Sequence, residues 1–120
     1  MELNVELGFA AAHHLPNTAG RCRNPHGHNY RLAVTLSGEP DATHGWIVDF
    51  DELLERLHKD VLVKVDGVNL NDLLENPTAE NIVQWLWTEI AHHYPQLSML
   101  ELWETPNCSV RYRGPSGTRG

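Results

Sequence analysis

The chain has 120 residues, 41% of them hydrophobic and 21% charged, and a formal net charge of −7. That length and ordinary composition predict one globular domain spanning residues 1–120, and the acidic balance, with no basic stripe, argues against a nucleic-acid partner. No apolar run approaches the ~20 residues of a membrane span and no charged-then-apolar leader opens the chain, so a cytoplasmic protein without a membrane partner is expected.

Residues 2–12 alternate, with Leu3, Val5, Leu7 and Phe9 on one face, and this period of two predicts a strand. His13 keeps the parity of that apolar face. Pro16 to Pro25 is rich in Asn, Gly and Pro and predicts a loop. A second alternating run carries Tyr30, Leu32, Val34 and Leu36, and His26 and His28 share the parity of Tyr30. After a turn-rich stretch, Gly38 to Gly45, Asp49 starts a helix with Glu52 three residues on, a variant of the capping box. Phe50, Leu53, Leu54, Leu57 and Val61 form its apolar stripe. Asp66 to Pro77 predicts a loop. Thr78 or Asn76 caps a second helix with the stripe Ile82, Val83, Leu86, Ile90 and Tyr94, which Pro95 ends. Met99 to Thr105 and Cys108 to Arg113 predict two more strands, and the tail from Gly114 is expected to be loose.

The order strand, strand, helix, helix, strand, strand predicts an α+β fold: a four-stranded antiparallel sheet with two helices on one face. The other face also carries apolar or aromatic residues at alternate positions, and two edges remain free. Free edges are usually paired, covered or charged, so subunits are expected to join edge to edge, closing a barrel. A domain of this size buries only roughly two thirds of its unfolded surface, so a deep site calls for a neighbouring subunit.

Eight histidines are the compositional oddity, although chance alone gives about half of one H-x-H pair at that frequency. His26 and His28, two apart on a strand, project to the same side and can share one ion. His13, at the end of the neighbouring strand, can supply a third nitrogen. Three imidazoles make an open tetrahedral zinc site with one position free; the alternative is three polar residues near two strand ends. No H-E-x-x-H helix and no C-x-x-C pair is present, and the cupin-like glutamate after H-x-H is replaced by Leu32 and Ala33.

Two cysteines are too few for a disulfide framework. Cys22 lies four residues before His26, between Arg21 and Arg23, and positive charge beside a cysteine favours its thiolate. It could be a fourth ligand, a nucleophile, a proton acceptor or an incidental loop residue. Cys108, on an alternating strand, is expected to be a buried small hydrophobe. Glu104 stands among apolar residues in Leu102-Trp103-Glu104-Thr105, where a carboxylate is expensive unless paired. Either a planar ligand with adjacent N–H donors pairs it, or an arginine such as Arg111 does.

The segments Phe9-Ala10-Ala11-Ala12-His13-His14-Leu15-Pro16 and Cys22-Arg23-Asn24-Pro25-His26-Gly27-His28-Asn29-Tyr30 resemble the pyruvoyl-tetrahydropterin synthase family. Gly45-Trp46-Ile47-Val48-Asp49-Phe50, Leu70-Asn71-Asp72, Asn76-Pro77-Thr78-Ala79-Glu80 and Glu104-Thr105 continue the match in order, from residue 9 to about 113. Within the family, the length and the Cys-x-x-x-His-Gly-His spacing look most like the 6-carboxy-tetrahydropterin synthase of queuosine biosynthesis.

The resemblance implies the tunnelling fold, with trimeric barrels stacked into a homohexamer and active sites between subunits. It implies a zinc ion on His13, His26 and His28 that grips the side-chain hydroxyls of 7,8-dihydroneopterin triphosphate. It makes Cys22 the proton-transfer residue and Glu104, with Thr105 beside it, the anchor of the pterin ring. In the carboxy-forming member, triphosphate and acetaldehyde leave. One position departs. The family's Asp-His pair, a second proton-transfer unit, corresponds here to Asp66-Gly67, and His14, His44 and His58 are candidates to stand in. Three readings follow: a carboxy-forming zinc lyase, a pyruvoyl-forming or variant pterin synthase, and a pterin-binding protein without turnover.

Overall fold

Alternation along the first third of the chain builds two twelve-residue strands, β1 (Glu2–His13) and β2 (His26–Ser37). They pair antiparallel along their whole length, from Glu2↔Ser37 to His13↔His26. The structure, a computed structural model, describes residues 1–115; the tail beyond Pro115 lies outside the described residues. Two helices follow, α1 (Phe50–Asp60) and α2 (Ala79–His93), then β3 (Leu97–Thr105) and β4 (Cys108–Tyr112). The sheet order is β1-β2-β3-β4, antiparallel throughout. The predicted α+β fold and its ββααββ order are both present.

Local chemistry sets the helix ends. Asp49 caps α1 by accepting from the Asp51 N–H at 3.3 Å. Of the two candidate caps for α2, Thr78 does the work, accepting from the Asn81 N–H at 3.2 Å. Asn76 contributes its carbonyl instead, to the Asn81 side-chain amide at 2.8 Å.

The odd-numbered residues of β1 and the even-numbered residues of β2 and β3 face the helices. Leu32, Val34, Leu36, Leu100 and Leu102 are fully buried there, under Leu53, Leu86 and Ile90. Phe9 stacks on Tyr30 with ring centroids 4.8 Å apart, at the end of the core nearest the histidines. Leu32 stands in the middle of this layer, so Leu32→Ala should cost about 2–5 kcal/mol. Urea unfolding measures it; a loss below about 1 kcal/mol would mean the layer repacks.

Three expectations need correcting. Phe50 is not part of the buried stripe: it is 56% exposed and faces a shallow groove with Trp46 and the start of β1. As the first helical residue, it stands off the layer that Leu53 and Leu57 cover. Cys108 shares the parity of Val110 and Tyr112 but is exposed. It lies at the β3–β4 turn, whereas Tyr112, four residues on, is covered by Trp87 of α2. The second face of the sheet is largely polar. Asn4 bonds Thr35 at 3.0 Å, Glu6 pairs with Arg31 at 3.5 Å, and Arg31 lies over the Trp103 ring at 3.9 Å. On the same face Glu101 is buried but held by Arg111 at 3.2 Å and Ser109 at 2.8 Å.

One edge is partly covered within the chain. Residues 66–69 run beside the end of β1. Gly67 donates to the Ala10 carbonyl at 2.6 Å, Ala12 donates to the Val68 carbonyl at 3.0 Å, and the Asp66 carboxylate accepts from the Ala10 N–H at 3.0 Å. Gly67 makes this strap with φ +73°, a conformation that most side chains resist.

Candidate metal centre and its pocket

The β1–β2 register decides where the histidines meet. His13 pairs directly with His26, and Ala11 with His28, so all three imidazoles extend the helix-facing side of the sheet past Phe9 and Tyr30. The rings are nearly perpendicular to one another, at 70°, 89° and 89°, with centroids 4.6–5.1 Å apart. One ligand nitrogen from each lies within 4.8 Å of the other two, which brings together the donor set read from the sequence.

Backbone carbonyls fix the ring protons. The Pro77 carbonyl is 2.8 Å from His13 Nδ1 and the Asn24 carbonyl is 2.8 Å from His26 Nδ1. A carbonyl only accepts, so both Nδ1 atoms carry hydrogen and both Nε2 atoms of the neutral rings present lone pairs. Those Nε2 atoms are 3.0 Å apart. Burial pushes the pKa of His28 down; Glu104 opposes that, and His13 and His26 reinforce it. A neutral imidazole is the form that binds a metal. Orientation by carbonyls is also what metal-binding histidines ordinarily have. The residues present therefore fit a divalent cation.

The wall behind the centre is tied in place. The Asn71 side chain holds the backbone of His14 from both sides, accepting from its N–H at 2.9 Å and donating to its carbonyl at 3.0 Å. Asn69 in turn accepts from the Asn71 N–H at 3.0 Å. His13 is thus gripped through its neighbour in the chain and through Pro77. Tyr30 Oη stands 3.3 Å from His13 Nδ1, and burial, with Glu104 adding, keeps its phenol protonated. Asn71, Pro77 and Tyr30 are parts of the site that residue-type reasoning missed. The Asn69-x-Asn71 spacing, with its side-chain turn, was the available signal.

In front of the histidines is a cavity of about 410 Å³ lined by Arg21, Cys22, His26, His28, Glu104 and Thr105. Cys22 sits in a single 3₁₀ turn, Arg21–Arg23, and is exposed. Glu104 does not bridge to Arg111, which is taken by Glu101. Its Oε1 turns to the histidines, 3.4 Å from His13 Nε2 and 3.8 Å from His28 Nε2. Asp66 and Gly67 are outside that pocket: Asp66 is bonded to β1, and Gly67 lines a second cavity, of about 540 Å³, with Ala12, Gly27, Asn29 and His28, which borders both. None of the three stand-in histidines lines the metal pocket. The His14 ring is beside Asn71, His44 stacks on Trp46, and His58 is in the last turn of α1.

No helix among the described residues is long and apolar enough to cross a membrane. Residues 2–115 match the protein family described as 6-pyruvoyl tetrahydropterin synthase. A 6-carboxy-5,6,7,8-tetrahydropterin synthase of Synechocystis sp. is 37% identical over 119 residues, covering 92% of this chain and 91% of that protein. The human 6-pyruvoyl tetrahydrobiopterin synthase is 27% identical over 134 residues, covering 94% and 91%. The solved structure of Caenorhabditis elegans 6-pyruvoyl tetrahydropterin synthase superposes with a TM-score of 0.87 at 28% identity, covering 96% of both chains. The fold is accordingly the tunnelling fold of these pterin enzymes, and the chain belongs to the 6-pyruvoyl tetrahydropterin synthase family.

Proposed function

We propose that this protein is a zinc-dependent 6-carboxy-5,6,7,8-tetrahydropterin synthase that converts 7,8-dihydroneopterin triphosphate, releasing acetaldehyde and triphosphate, in queuosine biosynthesis. The observation that carries the reading is a cluster of three imidazoles, two of which line one pocket with a thiol and a carboxylate. The name of the Synechocystis relative supports the carboxy-forming branch. His13, His26 and His28 would hold the ion. Zinc, when bound, lowers the pKa of hydroxyls it contacts and steadies developing negative charge. Glu104 accepts from the N–H edge of the pterin, and Thr105 lines the same wall. Cys22, at the mouth, takes the proton from the substrate's side chain.

Asp66 is the weakest member of the assignment, because its carboxylate serves the edge of β1. Gly67, next to it in the chain, lines the second cavity, which supports active sites shared between copies of the chain in a trimer or hexamer, where the residues at 66 and 67 of one copy face a neighbour's pocket. The exposed Trp46 and Phe50 and the uncovered sheet edge favour the same assembly. Sedimentation showing a stable monomer at micromolar concentration would count against it.

Product analysis tests the reaction. Zinc-loaded protein given dihydroneopterin triphosphate should yield acetaldehyde and a pterin of the mass of the 6-carboxy product. A product that retains the carbon chain would instead assign the pyruvoyl-forming reaction. Gly67 favours a further reading, pterin binding without turnover, since no imidazole stands at that position. A Cβ built there meets nothing within 4 Å, and histidine is among the residues that tolerate a positive φ best. On that reading Gly67→His should raise turnover by about 10²-fold or more, the usual worth of a positioned acid–base group. Wild-type turnover that Gly67→His leaves unchanged would show that the chain does its chemistry without that group.

A further inference from the structure

Glu104 occupies an unusual place for a residue whose proposed partner is an organic ring. Its Oε1 approaches His13 Nε2 and His28 Nε2 at 3.4 and 3.8 Å. His13 Nε2 and His26 Nε2 are both bare lone pairs, because the Pro77 and Asn24 carbonyls claim the Nδ1 hydrogens. In the neutral rings no proton therefore lies between the two Nε2 atoms, 3.0 Å apart, or between His13 Nε2 and the carboxylate oxygen at 3.4 Å. Acceptors do not gather that way without a shared positive charge. One cation among them satisfies all three at once.

Two further observations support a direct bond. Ligands about 2.0–2.1 Å from a tetrahedral ion stand about 3.3–3.4 Å from each other. The Glu104–His13 separation of 3.4 Å matches that edge, and the Glu104–His28 separation of 3.8 Å exceeds it slightly. The backbone also aims this side chain. Glu104 continues the helix-facing row of Leu100 and Leu102 on β3, and the pairing Leu32↔Leu102 puts that row on the face of the sheet that carries the histidines.

We propose that Glu104 is the fourth ligand of the metal centre while no pterin is bound, and that it leaves the ion when the pterin's N–H edge takes its carboxylate. The vacated position then receives the hydroxyls of the bound side chain. This deepens the role given to Glu104 above and rests on that reading. It makes one residue both the closure of the resting centre and the sensor of the ring.

Cobalt(II) alone is the probe, since its visible absorption reports coordination and it occupies sites of this donor type. Glu104→Gln should bind Co²⁺ at least about tenfold more weakly than wild type in competition with a chelator. Its absorption without pterin should differ from that of wild type. Adding neopterin, which carries a vicinal diol, should change the wild-type spectrum. Glu104→Ala, which removes both oxygens, gives the same comparison if the amide coordinates through its own carbonyl, and circular dichroism checks that each variant is folded. Equal affinity and identical spectra in wild type and both variants would overturn the inference while leaving the three-histidine centre intact. A wild-type spectrum that neopterin does not alter would overturn the displacement. Wild-type protein that takes up no Co²⁺ would overturn the centre itself, and with it the proposed function.

Discussion

His26→Ala should empty the metal centre and abolish turnover while leaving the fold in place. Of the three histidines it is the best one to remove. His13 is only 1% exposed and bonded to Pro77, so its loss would mix a packing defect with the loss of a ligand. His26 is half-buried at the start of β2, outside the apolar core, and its Nδ1 partner is a carbonyl only two residues away. Removing a hydrogen-bond partner behind a metal ligand typically costs 10–100-fold in affinity, so removing the ligand itself should cost more than about 100-fold. Elemental analysis after dialysis should fall from about one zinc per chain to near none, and thermal unfolding of the metal-free variant should match that of metal-free wild type. Full retention of zinc in His26→Ala would mean that the ion is held elsewhere. The assignment of all three ligands would then fall together.

The second large effect is expected at the thiol. Cys22→Ala should lower turnover by about 10²–10⁴, the range for a lost acid–base group, with zinc content and pterin affinity unchanged. The turn that carries Cys22 does not depend on its side chain. Leu15 donates to the Cys22 carbonyl at 2.7 Å, and Arg23 and Asn24 donate back to Gly20 and Arg21 at 3.0 and 3.1 Å. Alanine keeps every one of those bonds. A variant that loses turnover and metal together would make Cys22 a ligand rather than a proton acceptor. A variant as active as wild type would make the thiol incidental and move the proton transfer to another group.

Much of this was legible in the residues because period two is a long-range instruction. Once β1 and β2 alternate without interruption, the parity of His13, His26 and His28 follows from counting, and only the register was left to chance. The register is set by a run of paired apolar residues from Leu3↔Leu36 to Phe9↔Tyr30, which a one-residue slip would turn outward. What could not be counted was how far cover extends. Phe50 and Cys108 carry the right parity and the wrong depth, because burial depends on where a neighbouring layer stops. Glu104 was readable as a carboxylate in need of a partner. Its place beside the histidines follows from the parity it shares with Leu100 and Leu102 once Leu102 pairs with Leu32, and no local pattern of Trp103, Glu104 and Thr105 announces that pairing. Asp66 is the clearest case of a role hidden in the backbone: its carboxylate answers an N–H group 56 positions earlier in the chain.

That answer has an architectural consequence. In an antiparallel ladder, alternate residues turn their peptide groups away from the partner strand, so on β1 the residues of even number present theirs to the outside. The strap consumes those of Ala10 and Ala12, which leaves Glu2, Asn4, Glu6 and Gly8. A foreign strand laid along this margin would run out of rungs at Gly8, before it reached the level of the histidines. The strap is thus a doorstop as much as a cover. It keeps intermolecular sheet growth at the far end of the strand and reserves the end bearing the imidazoles for chemistry.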